Sequence, residues 1–216
     1  LPWDDMIKPL SQYTEHKILT ENDQKFEGTL NYKEGLVTGT YTIKDVGKYH
    51  GDFVNNKFQG EGKLEYKNGD VYIGNFDQGK KHGHGILKIK VSKKQFDIYE
   101  GNFVFDIMEG QFTIQYGNGD KFIGIIKQNQ KVSGKYTFKN QDEYEGTFKN
   151  DLFHGKGKYS GKDFNYEGLF EAGKRVGKGT EIISGIKCVS TFQDDVPVGK
   201  SIIIDEKGNK CVSELR

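Results

Sequence analysis

Apolar and polar residues alternate in short segments along most of the chain, and the alternation returns at a nearly constant interval. The segment from Tyr49 reads "YHGDF" and the segment from Tyr144 reads "YEGTF", so that aromatic, glycine and apolar positions are separated by polar ones. Successive side chains of a β-strand point to opposite faces. The pattern therefore predicts strands that carry the aromatic residues and the glycine on one face and polar residues on the other.

The same unit recurs along the chain, and each copy opens at an aromatic residue. The seven openings lie at intervals of 23, 23, 27, 23, 22 and 22 residues. They are Phe26, Tyr49, Tyr72, Tyr99, Phe122, Tyr144 and Tyr166, and a degenerate eighth copy aligns from Cys188. The long interval contains an insertion at residues 88–95, which we expect to enlarge a loop. A fixed period of this length indicates a repeat array.

Each repeat contains a second alternating segment after a short, turn-like linker. In the repeat from Tyr49 this segment holds Gly60, Gly62, Leu64 and Tyr66. Two such strands joined by a short turn form a β-hairpin. The "NGD" segments at residues 68–70 and 118–120 supply residues that accept a positive φ, and they predict turns between one hairpin and the next.

The glycine inside each strand needs a reason, because glycine in a strand is unfavourable unless a neighbour fills the space it leaves. We predict that a ring from an adjacent strand lies in this hollow. A covered ring buries about 150–250 Å², so hairpins stacked edge to edge gain the cohesion that a single hairpin lacks. The predicted fold class is all-β: an elongated, single-layer, twisted antiparallel sheet of tandem β-hairpins, curled so that its aromatic face lines a groove.

The tandem pattern YxGxFxxGxxHGxG resembles the MORN repeat (membrane occupation and recognition nexus) over about residues 26–208. Its histidine and glycine stand at His82–Gly83 and His154–Gly155. Other residues take the histidine position at Gln59, Glu109, Val176 and Val198. The repeat from Phe122 is one residue short, and we place the deletion in its turn. The resemblance implies about seven repeats and a degenerate terminal copy.

Three regions follow from this interpretation. Residues 1–25 are expected to form an N-terminal extension or cap, with Trp3 and Ile7 as candidate anchors. Residues 26–208 are expected to form the MORN-repeat array, and residues 209–216 a C-terminal tail. The chain begins at Leu1 and not at a methionine, so we expect it to be part of a longer protein. A catalytic domain elsewhere in that protein is left open.

Composition favours a turn-rich β protein. The chain has 29 glycines and 28 aromatic residues, namely 12 Tyr, 15 Phe and 1 Trp. Its net charge of +1, from 32 basic and 31 acidic side chains, gives no long-range attraction to nucleic acid. Cys188 and Cys211 are the only cysteines and no N-x-Ser/Thr acceptor occurs, so we expect a cytoplasmic protein without disulfides.

The aromatic row is the first candidate binding site. We expect most of the row to be core. A single-layer sheet does not cover all of these rings with its own side chains, so the remainder is predicted to form a groove. The groove would take a helix or an extended peptide of a partner protein, or a second copy of the chain. The candidates are Tyr49, Phe53, Tyr72, Phe76, Tyr99, Phe103, Phe122, Tyr144, Phe148, Tyr166 and Phe170.

A set of basic residues at the predicted hairpin tips is the second candidate, as a weak contact for anionic lipid. The set is Lys80, Lys81, Lys93, Lys94, Lys174 and Arg175. Each such charge contributes only about 1 kcal/mol near an anionic surface. The acidic neighbours Asp77, Asp97 and Glu171 favour the alternative, a solvated surface.

Catalytic and cofactor chemistry are not indicated. His82 and His154 take the same position in repeats three apart, so we expect a structural role for both. The five histidines and two cysteines show no metal-ligand spacing, and no G-x-x-x-x-G-K-[ST] phosphate loop occurs. We predict no enzyme activity, no metal or other cofactor, no small-molecule substrate and no nucleic-acid binding.

The resemblance also implies a role. MORN-repeat proteins occur in the radial spoke heads of cilia, at junctions of cytoskeleton and membrane, and as accessory regions of enzymes. We expect a non-enzymatic protein–protein interaction scaffold in a cytoskeletal or ciliary (axonemal) assembly, located at the cytoskeleton or cilium. Two alternatives stay open: a phosphoinositide-recruited membrane–cytoskeleton tether, and a regulatory region of a larger enzyme.

Overall fold

The structure, a computed structural model, describes residues 14–21, 24–31, 36–55 and 57–215. Within these ranges every regular element is a β-strand, which confirms the predicted all-β class. The strands fall into two compact units that divide between Ile107 and Met108. Trp3 and Ile7, the candidate anchors, lie outside the described residues.

Unit 1 is a meander of antiparallel strands. Its strands are β1 (Thr14–Glu21), β2 (Gln24–Asn31), β3 (Leu36–Ile43), β4 (Gly47–Val54), β5 (Lys57–Tyr66), β6 (Val71–Asp77), β7 (Lys80–Lys90) and β8 (Phe96–Val104). Each strand pairs with the next one in chain order. The predicted tandem hairpins are therefore present, and residues 91–95 of the predicted insertion form the connection from β7 to β8.

Unit 2 repeats this arrangement. Its strands are β9 (Ile107–Gln115), β10 (Lys121–Lys127), β11 (Gln130–Thr137), β12 (Glu143–Lys149), β13 (Leu152–Ser160), β14 (Phe164–Glu171), β15 (Lys174–Ile183), β16 (Ile186–Gln193), β17 (Val196–Ile204) and β18 (Lys210–Leu215). Again each strand pairs antiparallel with the next.

The sheet continues beyond residues 26 and 208, the boundaries predicted for the repeat array. Strand β1 lies in the expected N-terminal extension and pairs with β2 from Thr14↔Asn31 to Glu21↔Gln24. Strand β18 lies in the expected C-terminal tail and pairs with β17 from Ile204↔Lys210 to Gly199↔Leu215. Neither "TEHKILTE" nor "KCVSEL" contains the ring and glycine that mark the other strands, which is why the pattern did not reveal them.

Two kinds of turn connect the strands. Within hairpins the turn has two residues with positive φ, such as Gln78 (51°) with Gly79 (84°) and Asn150 (52°) with Asp151 (62°). This geometry matches the right-handed twist of paired strands. Between hairpins the predicted "NGD" turns are confirmed, and Gly69 has a φ of 93°.

A β-bulge lies in most hairpins at the glycine that follows the histidine position. In the β4–β5 pair, Gly51 faces Gly62 while Asp52 faces Gln59, and Gly60 in the extra stretch has a φ of 65°. Bulges of this kind bend the strand and increase its twist. The glycine of the HG element thus serves the backbone conformation, because glycine accepts this φ without steric cost.

The short repeat from Phe122 corrects one expectation. Its turn, Gln128–Asn129, keeps two residues of positive φ. Gly124 faces Gly134 and Ile126 faces Lys131, so the register shift in this hairpin spans one residue fewer than in the β6–β7 hairpin. The missing residue belongs to the bulge and not to the turn.

One ring covers both glycines of a facing pair. For the first glycine the ring comes from the same strand, two residues earlier, and not from an adjacent strand as predicted, whereas the second glycine is covered by this ring from the adjacent strand. Gly51 and Gly62 face each other, and the Tyr49 ring lies over both. A Cβ built on Gly62 would stand 2.6 Å from the Tyr49 Cε2 atom. The Tyr49 hydroxyl reaches past the glycines and donates a hydrogen bond to the Asp52 carbonyl oxygen at 3.0 Å. Tyr72, Tyr144 and Tyr166 repeat the arrangement.

Most opening rings also meet the apolar ring of the following repeat. Tyr49 and Phe76 make an edge contact with centroids 5.2 Å apart. The equivalent separations are 5.3 Å for Tyr72 with Phe103 and 5.2 Å for Tyr144 with Phe170. Edge-to-face contacts at these distances are favourable beyond the area they bury. Rings therefore form a continuous core from repeat to repeat within each unit.

Candidate functional site

Most of the aromatic row is core, and the groove for a partner stays a prediction. Ten of its eleven candidates are buried, and Tyr99 is half-buried. The ten are Tyr49, Phe53, Tyr72, Phe76, Phe103, Phe122, Tyr144, Phe148, Tyr166 and Phe170. The opening rings lie over glycine pairs, and the second ring of each repeat contacts them edge-on instead of projecting from the surface.

The position nine residues after each opening residue alternates between apolar and cationic side chains. From the second repeat onward it holds Phe58, Lys81, Met108, Lys131, Phe153, Arg175 and Pro197. We refer to it as the ninth position. Its side chain contacts the opening ring of its own repeat wherever it is aromatic or cationic.

Aromatic side chains at the ninth position stack on the opening ring. The Tyr49 and Phe58 rings are nearly parallel, 10° apart, with centroids separated by 3.8 Å. Tyr144 and Phe153 make the same contact at 3.7 Å and 10°. The phenylalanine covers the exposed face of the tyrosine ring.

Cationic side chains at the ninth position cover the same ring face through a cation–π contact. The Lys81 ammonium lies 5.8 Å from the centroid of Tyr72, and the Lys131 ammonium 5.8 Å from that of Phe122. The Arg175 guanidinium lies 5.5 Å from the Tyr166 centroid. Cations within about 6 Å of a ring face are attracted by its quadrupole.

These contacts correct the placement of two residues in the basic set. Lys81 and Arg175 are not solvated hairpin tips, because their side chains are only 16% and 20% exposed and cover the aromatic core. Lys80, Lys93 and Lys94 are exposed, and Lys174 forms an exposed ion pair with Asp194 at 3.3 Å. The candidate lipid set is therefore reduced to side chains that are dispersed over two units.

Each cation at the ninth position is paired with an aspartate from the turn of the next repeat. The pairs are Lys81 with Asp106 at 3.2 Å, Lys131 with Asp151 at 2.8 Å and Arg175 with Asp195 at 3.1 Å. Burial opposes the charge of Lys131, but its hydrogen bonds to Asp151 and Tyr116 outweigh burial and raise the pKa of the ammonium. The pairs link adjacent repeats within a unit.

The identity of the turn residue seven positions after each opening residue alternates as well, in step with the ninth position. Where the preceding repeat has an apolar ninth residue, the turn holds Gly79, Asn129 or Gly173 in place of aspartate. The Asn129 side chain accepts a hydrogen bond from the Met108 backbone N at 2.7 Å, the role that an aspartate oxygen plays for Lys81 and Arg175. Sequence reasoning missed this coupled alternation, although the spacing carried the signal.

The "NGD" turns also have a role that the motif alone did not indicate. Asp120 accepts hydrogen bonds from the Tyr136 hydroxyl at 2.7 Å and from the Lys139 backbone N at 2.8 Å, and both belong to the next hairpin. Burial works against its charge, but these bonds and one from Asn118 hold the pKa of Asp120 below its usual value. The aspartate therefore joins one turn to its neighbour.

The degenerate last repeat shows how the core adapts when the opening ring is lost. Cys188 stands in place of the ring, and Ser190 and Ser201 stand where two glycines lie in the preceding repeat. The two buried hydroxyls lie 2.8 Å apart and form a hydrogen bond. Side chains at the glycine positions thus occupy the space that a tyrosine ring would fill.

Concave surfaces lie on the polar face of the sheet, opposite to the predicted aromatic groove. In unit 1 a cavity of about 580 Å³ is lined by residues that include His50, Asp52, Glu61, Lys63 and Ile73. In unit 2 two cavities of about 670 and 650 Å³ share Lys158, Glu167 and Lys178. The side chains that alternate with the rings therefore line concave surfaces in both units.

The candidate histidines are half-buried and isolated from other titratable groups of the kind that bind metals. The His82 ring lies 4.7 Å from the Phe105 ring, and its Nδ1 atom is buried without a hydrogen-bond partner. In the described part of the chain, no group of three or more His, Cys, Asp or Glu side chains could hold a metal ion. None of the described residues forms a helix with the length and apolarity to cross a membrane.

These features define a class of protein: an array of tandem antiparallel hairpins in which a ring covers a glycine pair in each regular copy. A family model of the MORN repeat matches residues 49–71, 72–89, 99–121, 144–165 and 166–184. The chain is a MORN-repeat protein, and such repeats form protein-binding or membrane-associated modules. A search of curated proteins found no match. The copies from Phe26, Phe122 and Cys188 lie outside the matched segments, yet the structure forms each of them as a hairpin.

Proposed function

We propose that the chain is a non-enzymatic scaffold that binds segments of partner proteins in a cytoskeletal or ciliary assembly. One observation carries the proposal: the opening rings of the repeats are mostly buried in the core, while the polar face of each unit presents concave surfaces. The binding surface is therefore the row of side chains that alternates with the core. The resemblance to MORN proteins of radial spokes and of cytoskeleton–membrane junctions supports the cellular setting.

The titratable groups with the most strongly raised pKa values support a structural rather than a catalytic role. Burial raises the pKa of Tyr49 to about 12 and that of Tyr144 to about 12. Both hydroxyls donate hydrogen bonds to backbone carbonyl oxygens inside the core, at Asp52 and Thr147. The raised pKa values of these two tyrosines follow from packing, so they do not indicate a catalytic centre.

The membrane tether is the weaker alternative, because two of its six candidate side chains serve the core. Lys81 and Arg175 cannot leave the aromatic rings without breaking ion pairs to Asp106 and Asp195. The remaining lysines each contribute only about 1 kcal/mol near an anionic surface.

Site-specific photo-cross-linking in the native cells tests the scaffold. A photoreactive amino acid is placed at Lys158 on the polar face of unit 2 or at His50 on the polar face of unit 1. The control position is Lys207, which lies in the exposed turn between β17 and β18. We expect cytoskeletal or axonemal proteins to be enriched at Lys158 or His50 over Lys207.

Three results would contradict the proposal. Equal recovery from all three positions would mean that the polar face has no preferred partner. Recovery of lipid and membrane proteins alone, with cross-links from a photoreactive group at Lys80 or Lys94, would favour the tether. A full-length reading frame with a catalytic domain would assign the array to the regulatory region of an enzyme.

A further inference from the structure

The two cavities of unit 2 adjoin each other, because they share Lys158, Glu167 and Lys178, and we treat them as one depression. We name it the lysine trough and define it by Lys156, Lys158, Lys178 and Lys187 together with the glycine backbone between them. Gly157, Gly168 and Gly179 lie on its floor.

The core fixes the floor of the trough. A Cβ built on Gly157 or Gly179 would stand 2.5–2.6 Å from atoms of the Tyr144 or Tyr166 ring on the other face. These glycines therefore keep the backbone close to the rings below, and the side chains that flank them in each strand form the walls. The depression is a consequence of the repeat.

The trough carries an excess of positive charge. It is lined by four lysines and by the two glutamates Glu145 and Glu167. Lys158 faces Glu145 on one side and Glu167 on the other in the strand register, so cross-strand attraction partly neutralises it. Lys156 faces Leu169, and Lys178 faces Thr191. Their ammonium groups thus have no acidic neighbour directly across the strand.

These lysines are available to a ligand. Among the described residues, Lys156, Lys158, Lys178 and Lys187 take part in no ion pair, and all four are exposed. Other basic residues of the same unit are paired, as Lys135 is with Glu143 at 2.7 Å. Unpaired cations in a concave site attract an anionic partner more effectively than cations on a flat surface do.

An exposed apolar side chain lies on the strand between two of the lysines. Leu169, 40% exposed, belongs to strand β14, which lies between the strands of Lys156 and Lys178. Two strand spacings separate these lysines by about 10 Å, which an extended peptide spans in about three residues. A segment with acidic residues on either side of an apolar residue would therefore bring its carboxylates to Lys156 and Lys178 and its apolar side chain to Leu169.

The cavity of unit 1 provides an internal contrast. Its charged lining consists of Asp52, Glu61 and Lys63, and Ile73 and Ile86 add apolar surface. It carries one more acidic than basic group, so an acidic ligand is not favoured there. The two units therefore present polar faces of different charge.

We propose that the lysine trough binds an acidic, extended segment of a partner protein. The inference rests on the proposed scaffold function and names the chemistry of the partner at one of its surfaces. A peptide fits better than a lipid bilayer, because a recessed floor accepts a narrow chain while a flat anionic surface meets only the tips of the walls.

The test uses the full chain and a fluorescein-labelled, glutamate-rich peptide with one central leucine, measured by fluorescence anisotropy. The matched probe has glutamine in place of every glutamate. We expect saturable binding of the glutamate peptide that weakens as NaCl is raised, and no saturable binding of the glutamine peptide. Dependence on salt follows from screening of exposed charges.

Two triple variants with the same change in net charge locate the binding. The trough variant combines Lys156→Glu, Lys158→Glu and Lys178→Glu. The control variant combines Lys127→Glu, Lys149→Glu and Lys207→Glu, which are exposed lysines of the same unit outside the trough. We expect the trough variant to lose about tenfold or more in affinity, since three modest pairwise losses multiply, and the control variant to lose less than about twofold.

A second trough variant controls for a folding defect. If the glutamate substitutions shift the thermal transition, then Lys156→Gln, Lys158→Gln and Lys178→Gln replace them, which removes charge without adding repulsion to Glu145 and Glu167. Equal losses in the two triple variants would overturn the proposal, because the peptide would then bind only to general surface charge. Absence of saturable binding to the wild-type chain would overturn it as well.

Vesicle binding and photo-cross-linking distinguish a failure of this inference from a failure of the scaffold function on which it rests. Binding to phosphatidylserine-containing vesicles that is lost in the trough variant, without peptide binding, would make the trough a lipid site. Cytoskeletal partners that cross-link at His50 but not at Lys158 would leave the scaffold intact and refute the acidic ligand. Failure at both positions would refute the scaffold itself.

Discussion

Lys131 and Asp151 belong to adjacent repeats, and their side chains form an ion pair of 2.8 Å beside the ring of Phe122. The lysine side chain is 14% exposed while that of the aspartate is 62% exposed. The two partners are therefore unequal: the lysine depends on the aspartate for its charge, whereas water can solvate the aspartate alone. Met108 and Asn129 occupy the two equivalent positions one repeat earlier.

A double-mutant cycle based on that natural replacement tests the inequality. We expect Asp151→Asn to cost about 1–2 kcal/mol, because it leaves a mostly buried ammonium without its carboxylate. Lys131→Met should cost less than about 1 kcal/mol, since a methionine fills the same place in another repeat. Once Lys131 is methionine, adding Asp151→Asn should cost less than about 0.5 kcal/mol. Urea unfolding of the four chains measures the coupling.

The exposed pair of Lys135 and Glu143 is the control for this cycle. Its side chains are 46% and 38% exposed, so the coupling between Lys135→Met and Glu143→Gln should stay below about 0.5 kcal/mol. Equal coupling in the two pairs would show that position beside the core adds nothing to the Lys131–Asp151 pair.

Phe103→Ala and Glu100→Ala compare the two faces of one strand. Phe103 is 1% exposed and contacts the Tyr72 ring, so we expect its loss to cost about 3–5 kcal/mol. Glu100 lies on the polar face, where its loose contact with His84 is 3.8 Å long, and its loss should change stability by less than about 0.5 kcal/mol. Similar midpoints for the two variants in a denaturant melt would contradict the assignment of faces.

The features that could be predicted from the sequence are those that depend on near neighbours in the chain. Alternation at Tyr49, Gly51 and Phe53 defines a strand with one apolar face, and the "NGD" segments define turns, so the tandem hairpins follow from local pattern. The period of the copies then predicts antiparallel stacking. These expectations agree with the observed register.

The features that could not be predicted depend on register and on curvature. Pattern assigns Tyr49 to a face but does not say that its ring lies over Gly62, because that requires the bulge at Gly60. Lys81 looks like a hairpin tip until its strand is placed beside Asp106, which is 25 residues later in the chain. The concave surfaces of the polar face likewise depend on how neighbouring strands pack, which local pattern does not give.

Gly157→Ala tests whether the ring over the glycine pair limits what the sheet tolerates. A Cβ at Gly157 would meet the Tyr144 ring at 2.5 Å, and the ring is held by the stack on Phe153. We expect a loss of about 2–3 kcal/mol from this overpacking. The control is Gly199→Ala, where φ is 70° but no atom lies within 4 Å of the added Cβ. Its cost should be about 1 kcal/mol, from backbone strain alone.

Thermal and urea unfolding of both glycine variants give the comparison. A cost at Gly199 equal to or greater than that at Gly157 would mean that backbone conformation, and not the ring, accounts for the glycine pairs. The natural pair Ser190 and Ser201 agrees with the ring explanation, because side chains appear at these positions where Cys188 has replaced the aromatic residue.

Tyr144→Phe tests the contribution of the buried hydroxyls through its dependence on pH. Burial raises the pKa of Tyr144 to about 12, above the value of about 10 for an unfolded chain. The folded state thus holds the proton more tightly, so its stabilising contribution is complete below pH 10 and is lost as pH rises from about 10 to 12. At pH 7 the variant should lose about 1 kcal/mol, since the hydrogen bond to the Thr147 carbonyl oxygen at 2.9 Å is removed.

Above pH 10 the variant should lose stability less steeply than the wild type, because one titrating group is absent. Tyr49, Tyr72 and Tyr166 keep their raised pKa values, so the alkaline transition should become shallower without disappearing. Urea midpoints measured from pH 7 to pH 11 give the two curves. Curves that stay parallel over this range would show that ionisation of Tyr144 is not linked to unfolding, and that its hydroxyl acts only through the hydrogen bond.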